Sequence, residues 1–420
     1  MIGILFRLGI KPFFELQIDG MENYSETPAS LIVANHKRDL DSVLIATVFY
    51  YHRGFLNPSS TPISFMGDEN LFQPGFLGNW IKGPKLLKKV LQPLSLNRIL
   101  QCLHAYPIGK LDFHSVPVHD ALRIIKERDG NYELREIIKE DALKDLLDDS
   151  SFGSPEMTIS EFFDREGYPR KKVDSRNFKS KFRKDVKRSK LGAVKGQLSQ
   201  FVDLLNDGAI LYITPEGTLS RNGMLGPLKD SLLILIDEAD ADVVVVPTNI
   251  TYDFMKKGRT RIFVNLGEEM SGLEKLNRKE RSNRLRETIL GLTTINLAQV
   301  ASYRLKEALE TGQKKVKLDE IYQKVKGDLT DFEREGFNID DKLSDEAGAR
   351  KRWNSYIAYC RDRGVMAPED DKSSNGGEVY SLSPDLGYDG DEIPRGYRRD
   401  PVNYCANEIK ALEKVGLVSL

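Results

Sequence analysis

Hydrophobic and polar positions along the first two-thirds of the chain follow two alternating patterns. Short runs rich in β-branched residues predict strands, and longer stretches with apolar residues at helical spacing predict helices. The predicted strands are Glu15–Ile18, Leu31–Ala34, Ile63–Met66, Ala209–Ile213, Val243–Thr248 and Arg261–Val264. The predicted helices include Ser42–Tyr51, Leu86–Leu91, Val118–Arg128, Val194–Leu205 and Leu228–Asp237. Strands that alternate with helices predict an α/β fold, with a mixed sheet flanked by helices.

A charged segment interrupts this alternation. Residues 133–166 hold eleven acidic and four basic residues, whereas residues 170–195 hold twelve basic and two acidic ones. We interpret residues 130–195 as a charged helical insertion. In its basic half, Phe178 and Phe182 lie among the cations, a composition that suits an anionic membrane surface. The alternative is a solvated helix whose charges pair with the acidic half. Nucleic-acid binding is disfavoured, because no recognition module accompanies the basic residues.

The last third of the chain has a different pattern. Residues 271–365 are highly charged and predict a mainly helical extension, whereas residues 369–400 are rich in Gly, Asp, Ser and Pro and predict a loop or linker. Tyr404–Val415 predicts a short terminal helix. The predicted organisation is a domain of residues 1–270 that carries the insertion, a helical extension over 271–365, and a linker-like segment with the terminal helix over 366–420.

Composition excludes several classes of protein. The 420 residues include 62 basic and 63 acidic ones, so neither a uniformly basic nucleic-acid binder nor an acidic tail protein fits. Cys102, Cys360 and Cys405 are too widely spaced for a disulfide framework or a metal site, which favours the cytoplasm. Every apolar stretch is too short or too interrupted to predict a transmembrane span. Met1–Phe14 predicts either an amphipathic helix on a bilayer surface or the first helix of the domain.

The stretch Leu31–Ile45 carries the clearest chemical pattern. A predicted strand ends before Asn35 and His36, a polar turn follows, and Asp41 opens a predicted helix. The turn can fold Asp41 back onto the imidazole, where a carboxylate fixes the tautomer and stabilises the imidazolium. Such a pair can deprotonate a substrate hydroxyl directly. Taken singly, Asp41 is equally well a helix cap and His36 a turn residue.

A second stretch, Ile210–Lys229, follows another predicted strand. Its turn, Pro215–Thr218, contains glycine and exposes backbone N–H groups, while Arg221 and Lys229 supply positive charge for a phosphate. On its own, this turn is an ordinary ending for a strand.

In this order the two stretches resemble motifs of the glycerophospholipid acyltransferases, the family of the lysophosphatidate and glycerol-3-phosphate acyltransferases. Asn35, His36 and Asp41 match the family's N-H-(x4)-D motif, and Pro215–Thr218 match a later P-E-G-T motif. Val243–Ile250 resembles an apolar family strand that ends in proline. The ordered motifs make a chance match improbable. The resemblance implies the acyltransferase fold over the first two-thirds of the chain.

The resemblance also implies a reaction. His36 is expected to act as general base on an acceptor hydroxyl, oriented by Asp41, and the acceptor oxygen attacks the thioester of acyl-CoA or acyl-carrier protein. The acceptor is expected to be glycerol-3-phosphate or 1-acylglycerol-3-phosphate, as in phospholipid biosynthesis, with no metal or cofactor required. The residues expected to bind substrate are Lys110, Glu216, Gly217, Thr218, Arg221 and Lys229.

Three positions depart from the family pattern. Arg38 stands where the family commonly has serine, Lys110 stands where an arginine binds the acceptor's phosphate, and Leu219 stands where arginine is frequent. Lysine neutralises a phosphate as a point charge, whereas arginine offers a bidentate fork. These departures leave a second hypothesis open, a catalytically altered membrane-binding homologue without acyl transfer. A serine hydrolase is disfavoured, because no G-x-S-x-G elbow accompanies His36. Under either hypothesis the protein is expected in the cytoplasm, peripherally associated with a membrane.

Overall fold

A computed structural model describes residues 12–52, 62–68, 72, 97–102, 104–108, 115–147, 154–164, 171–369, 378–386 and 400–419. The predicted helix Leu86–Leu91, residues 1–11 of the predicted N-terminal helix, and Lys110 lie outside these residues.

The strands of the described chain are β1 Phe14–Asp19, β2 Ser30–Ala34, β3 Ile63–Asp68, β4 Ala105–Ile108, β5 Ser115–Pro117, β6 Lys172–Asp174, β7 Ile210–Ile213, β8 Val244–Asp253, β9 Thr260–Leu266, β10 Lys315–Lys317, β11 Met366–Pro368 and β12 Val379–Leu382. Its α-helices are α1 Asp41–His52, α2 Asn97–Cys102, α3 Val118–Asp129, α4 Leu134–Ile137, α5 Glu140–Leu147, α6 Ile159–Asp164, α7 Ser180–Asn206, α8 Asp230–Glu238, α9 Arg278–Gly291, α10 Leu297–Glu310, α11 Leu318–Arg334, α12 Glu346–Asp362 and α13 Pro401–Lys414. All six predicted strands are confirmed, as are the predicted helices that lie within described residues.

Within the described residues, the main sheet has seven strands in the order β1-β9-β8-β2-β7-β3-β4. Strand β2 pairs in parallel with β7 on one side and with β8 on the other, while β8 pairs antiparallel with β9. Every residue of β2 and β7 is buried, which explains why these strands are continuous apolar runs without alternation. The fold is therefore α/β with a mixed sheet flanked by helices, as predicted.

The chain divides into two compact units. The first unit contains Met1–Met66, Asn97–Tyr106 and Asp203–Leu420, and the second contains Gly67–Leu96 and Pro107–Val202. The first unit thus includes most of the main sheet together with helices α8 to α13. The second includes the charged segment of the sequence, with its own small sheet of β5 and β6.

The second unit has its own hydrophobic core, and this core corrects one expectation. Phe178 and Phe182, expected among the cations on a membrane-facing surface, are 0% and 3% exposed. They pack in the core with residues of α3 and of α4 to α6. Phe182 and Val186 are one helical turn apart on α7 and are both buried, so they mark the inward face of the helix.

The segment expected to be a loop or linker, residues 369–400, contains a strand. Strand β12 lies between β10 and β11 in a three-stranded antiparallel sheet. Its residues Tyr380 and Leu382 are buried, whereas Val379 and Ser381 are half-buried, which is the alternation of a strand covered on one face. The predicted terminal helix is confirmed as α13.

Within the described ranges, no helix combines the length and the apolar composition that crossing a bilayer requires.

Candidate active site

Two loops meet at the carboxyl ends of the parallel strands β2 and β7. We call residues 35–40, which follow β2, the base loop, and residues 214–229, which follow β7, the turn loop. Asn35 fixes the start of the base loop: its side-chain amide donates to the carbonyl oxygen of Ile250 at 3.1 Å and accepts from the Ile250 N–H at 2.7 Å. An amide side chain has the same donor and acceptor as a peptide group, so Asn35 prolongs the pairing of β2 with β8.

His36 and Asp41 form the predicted pair. The imidazole Nδ1 lies 3.0 Å from Asp41 Oδ2, and the histidine side chain is 20% exposed while the aspartate is fully buried. Among the described residues, none hydrogen-bonds the other ring nitrogen, Nε2. One ring nitrogen is therefore held by a carboxylate, and the other has no hydrogen-bond partner within the described part of the chain.

Asp41 is held by further donors besides the imidazole. Its Oδ2 also accepts the backbone N–H groups of Lys37 at 2.6 Å and Arg38 at 2.8 Å, and its Oδ1 accepts the Tyr252 hydroxyl at 2.5 Å. Asp41 is also the first residue of α1, where the helix dipole favours negative charge. Burial and the nearby Asp41 charge raise the pKa of Tyr252 well above its usual value, so the phenol stays a donor. These contacts fix the side chain of Asp41 in position beside His36.

Glu216, predicted to bind substrate, joins the two loops. Its Oε1 accepts the N–H of His36 at 2.8 Å and its Oε2 accepts the N–H of Gly226 at 2.7 Å, and the residue is 4% exposed. Burial raises the pKa of Glu216, and the two backbone N–H donors oppose that rise. Both carboxylate oxygens are therefore occupied by backbone groups that position the general-base candidate.

Four further predicted substrate-binding residues lie on the surface of the turn loop, whereas Lys110 is outside the described residues. Gly217 has a φ of 63°, and Lys229 lies beside it, since a Cβ built on Gly217 would be 3.5 Å from two Lys229 side-chain carbons. Thr218 and Arg221 are exposed. The turn loop is tied to the base loop, because the N–H of Ser220 donates to the carbonyl oxygen of His36 at 2.7 Å. Gly217, Thr218, Arg221 and Lys229 thus share a loop that is hydrogen-bonded to the backbone of His36.

Sequence reasoning assigned no role to several residues of this site, among them Arg38, which it named only as a departure from the family pattern. The Arg38 guanidinium lies 4.3 Å from the ring centre of Tyr252 and 5.4 Å from that of Phe254, which are cation–π distances. Buried Lys37 forms an ion pair with Glu408 of α13. The sequence could have pointed to Tyr252 only through its place two residues beyond the Val243–Ile250 strand. Nothing in the sequence pattern pointed to Glu408 as a residue of this site.

Comparisons with known proteins find a family match that includes the turn loop. A model of the Acyltransferase family matches residues 184–251, a range that includes the P-E-G-T turn and excludes His36. One similar solved structure is the 1-acyl-sn-glycerophosphate (LPA) acyltransferase PlsC from Thermotoga maritima. It is 15% identical, with a TM-score of 0.35, over 69% of this chain and 75% of that chain. No curated protein sequence matches the chain.

Proposed function

We propose that this chain transfers a fatty acyl group from a thioester donor to a hydroxyl of a glycerol-phosphate acceptor, and the match of residues 184–251 to the Acyltransferase family model supports this proposal. The donor is acyl-CoA or acyl-carrier protein, and the acceptor is glycerol-3-phosphate or 1-acylglycerol-3-phosphate, in phospholipid biosynthesis. The observation that carries the proposal is the 3.0 Å contact between His36 Nδ1 and the buried Asp41 carboxylate.

The proposed chemistry uses one proton twice. Because Asp41 engages Nδ1, Nε2 is the nitrogen that takes the proton from the acceptor hydroxyl. The acceptor oxygen forms a bond to the thioester carbonyl carbon, and the imidazolium is stabilised by Asp41 in this step. As the tetrahedral intermediate collapses, the carbon–sulfur bond breaks and the thiolate takes the proton from Nε2. The products are an ester and a free thiol.

The acceptor's phosphate is the second element of the proposal. Arg221 and Lys229 supply cations on the turn loop, and Lys110 is a further proposed contact. Arg38 adds a planar guanidinium, held against Tyr252, that can bind a phosphate through two parallel hydrogen bonds. Thr218 is proposed to bind the acceptor directly. Gly217, whose N–H donates to the carbonyl oxygen of Thr214 at 3.0 Å, is proposed to shape the pocket, and so is Glu216, which holds the two loops together.

The proposal is tested by measuring thiol release for each combination of donor and acceptor. Thiol release is measured with acyl-CoA and with acyl-carrier protein, each against glycerol-3-phosphate, 1-acylglycerol-3-phosphate and no acceptor. We expect release that requires one of the phosphorylated acceptors and that is lost in His36→Ala. Absence of acceptor-dependent release in every combination would favour the hypothesis of a membrane-binding homologue without acyl transfer.

We also propose a peripheral contact with an anionic membrane, made by charge rather than by aromatic insertion. Lys184 and Arg188 are exposed one turn apart on α7, opposite the buried face of Phe182. At about 1 kcal/mol per basic residue near anionic lipid, reversing both charges should weaken vesicle binding by more than tenfold.

The matched control for the membrane proposal reverses Lys139 and Lys144, two exposed lysines of the same unit with the same change in net charge. Binding to phosphatidylserine vesicles is measured at low and high salt for both double variants. If the double variant Lys184→Glu with Arg188→Glu binds vesicles as tightly as the control does, or if salt does not weaken the binding, the proposed membrane contact is wrong.

A further inference from the structure

The terminal helix α13 contacts both loops of the candidate active site. All three segments belong to the first compact unit. Helix α13 lies far beyond the residues 184–251 that match the acyltransferase family model, so its contacts with the site are a separate feature of this chain.

The contact with the base loop is a buried ion pair. The Lys37 ammonium pairs with Oε1 of Glu408, and their side chains are 7% and 3% exposed. The second oxygen of Glu408 accepts from the Gln299 amide of α10 at 2.8 Å, so both carboxylate oxygens are occupied. Lys37 directly follows His36, and its backbone N–H is one of the donors to Asp41. The helix therefore anchors a residue that touches both members of the pair.

The contact with the turn loop is made through the backbone. A Cβ at Gly223 would lie 2.1 Å from the carbonyl oxygen of Tyr404, so only glycine allows this approach of loop and helix. Beside it, the Asn407 side chain donates to the carbonyl oxygen of Asn222 at 3.0 Å. Helix α13 thus holds the turn loop, which itself is hydrogen-bonded to His36 through Ser220.

A buried ion pair adds little net stability, because desolvation of the two charges offsets their attraction. Its geometry is nevertheless demanding, since each charge must keep its partner. We propose that Glu408 is a positioning residue, which acts through Lys37 to hold His36 and Asp41 in the geometry required for proton transfer. This inference rests on the proposed acyl transfer and assigns a part of that reaction to the terminal helix.

The test compares the full chain with its Glu408→Gln and Glu413→Gln variants. Glu413 is the matched control, because it lies on the same helix and accepts the Tyr303 hydroxyl of α10 at 2.7 Å. We expect Glu408→Gln to lower kcat by about tenfold or more, with KM for donor and acceptor changed less than about twofold. A wild-type kcat in Glu408→Gln, or equal losses in both variants, would overturn the proposal.

Because removing one charge leaves the other buried and unpaired, Glu408→Gln can also lower the folded fraction. The exchange Lys37→Glu with Glu408→Lys restores an ion pair, and the Gln299 amide can turn its oxygen towards the exchanged ammonium. We expect this double variant to recover both the melting temperature and most of kcat. Recovery of the melting temperature without kcat would mean that the pair is structural only.

A readout independent of acyl transfer separates this inference from the proposed function. Diethyl pyrocarbonate modifies exposed imidazoles, and mass spectrometry of peptides gives the rate at His36 alone. We expect this rate to rise about threefold or more in Glu408→Gln, because the base loop loses its anchor, and to stay unchanged in Glu413→Gln. If Glu408→Gln raises the modification rate of His36 while the wild type transfers no acyl group, the proposed function fails and the positioning by Glu408 stands. If the wild type transfers acyl groups and Glu408→Gln changes neither the modification rate nor kcat, only the positioning by Glu408 fails.

Discussion

Replacing Asp41 by asparagine removes the charge behind His36 while keeping the shape of the side chain. The amide oxygen can take the place of Oδ2 and accept from His36 and from the N–H groups of Lys37 and Arg38. The amide nitrogen then faces the Tyr252 hydroxyl, which can rotate to accept. We therefore expect Asp41→Asn to fold and to keep the imidazole near its present position.

The loss in rate follows from the attraction between the aspartate and the imidazolium formed during proton transfer. At an effective dielectric constant of about 20, opposite unit charges at the observed 3.0 Å attract by about 5.5 kcal/mol. At about 1.36 kcal/mol for each factor of ten, this corresponds to a loss of about 10⁴-fold in kcat/KM. The full burial of Asp41 supports a low effective dielectric at this site.

Acceptor-dependent thiol release measures this loss, with circular dichroism and thermal unfolding to show that the variant is folded. Asp39→Asn is the matched control, because Asp39 is an exposed carboxylate of the same turn. A folded Asp41→Asn variant with activity within about tenfold of the wild type would refute the proposed part of Asp41 in catalysis.

Two further predictions concern stability. Gly223→Ala is expected to lower the free energy of unfolding by about 2 kcal/mol or more, because its Cβ would clash with the Tyr404 carbonyl group and its φ of 86° disfavours alanine. Urea unfolding measures this free energy. Gly258→Ala is the control for backbone strain alone, because Gly258 has a φ of 93° and no atom near the position of a Cβ. Equal losses of unfolding free energy in the two variants would contradict the clash. Burial raises the pKa of Glu216 above the usual 4.5, so the folded state holds this proton more tightly than the unfolded state does. The contribution of Glu216 to the free energy of unfolding is therefore fully present below pH 4.5 and is lost as the pH rises through the raised pKa. The unfolding free energy of the wild type, relative to Glu216→Gln, should therefore fall as pH rises above 4.5, and a difference that does not change with pH would show that no such shift exists.

The sheet and the His36–Asp41 pair were predictable from the sequence because their signals are local. The apolar run of β2, the polar turn and the start of α1 lie within one short stretch, so the turn alone brings the imidazole to the carboxylate. The parallel pairing of β2 and β7 then places their following loops at the same edge of the sheet, which is why two separate motifs meet.

Residues that contact the site but lie far from it in the sequence were not predictable in this way. Tyr252 is 211 residues from Asp41 and Glu408 is 371 residues from Lys37. Nothing in the local pattern of either residue indicates its partner, because the contact exists only once the sheet and the terminal helix have packed. Glu216 was expected at the substrate, yet its two oxygens are occupied by backbone N–H groups that the sequence does not reveal.

Two expectations were wrong because composition does not specify which face of an element is covered. Phe178 and Phe182 lie among cations in the sequence, but the helix places Phe182 on its inward face and its charges outward. The residues around Val379–Leu382 are rich in Gly, Ser and Asp, and this composition masked the strand alternation at Tyr380 and Leu382.

The identity of the product formed from a labelled donor tests the central claim most directly. Wild-type protein and His36→Ala are incubated with ¹³C-labelled acyl-CoA and the acceptor that supports thiol release, and the lipids are analysed by mass spectrometry. We predict that the wild type attaches the labelled chain to the acceptor as an ester and that folded His36→Ala does not. Labelled free fatty acid in place of the ester, or equal ester formation by both proteins, would contradict His36 as the base for acyl transfer.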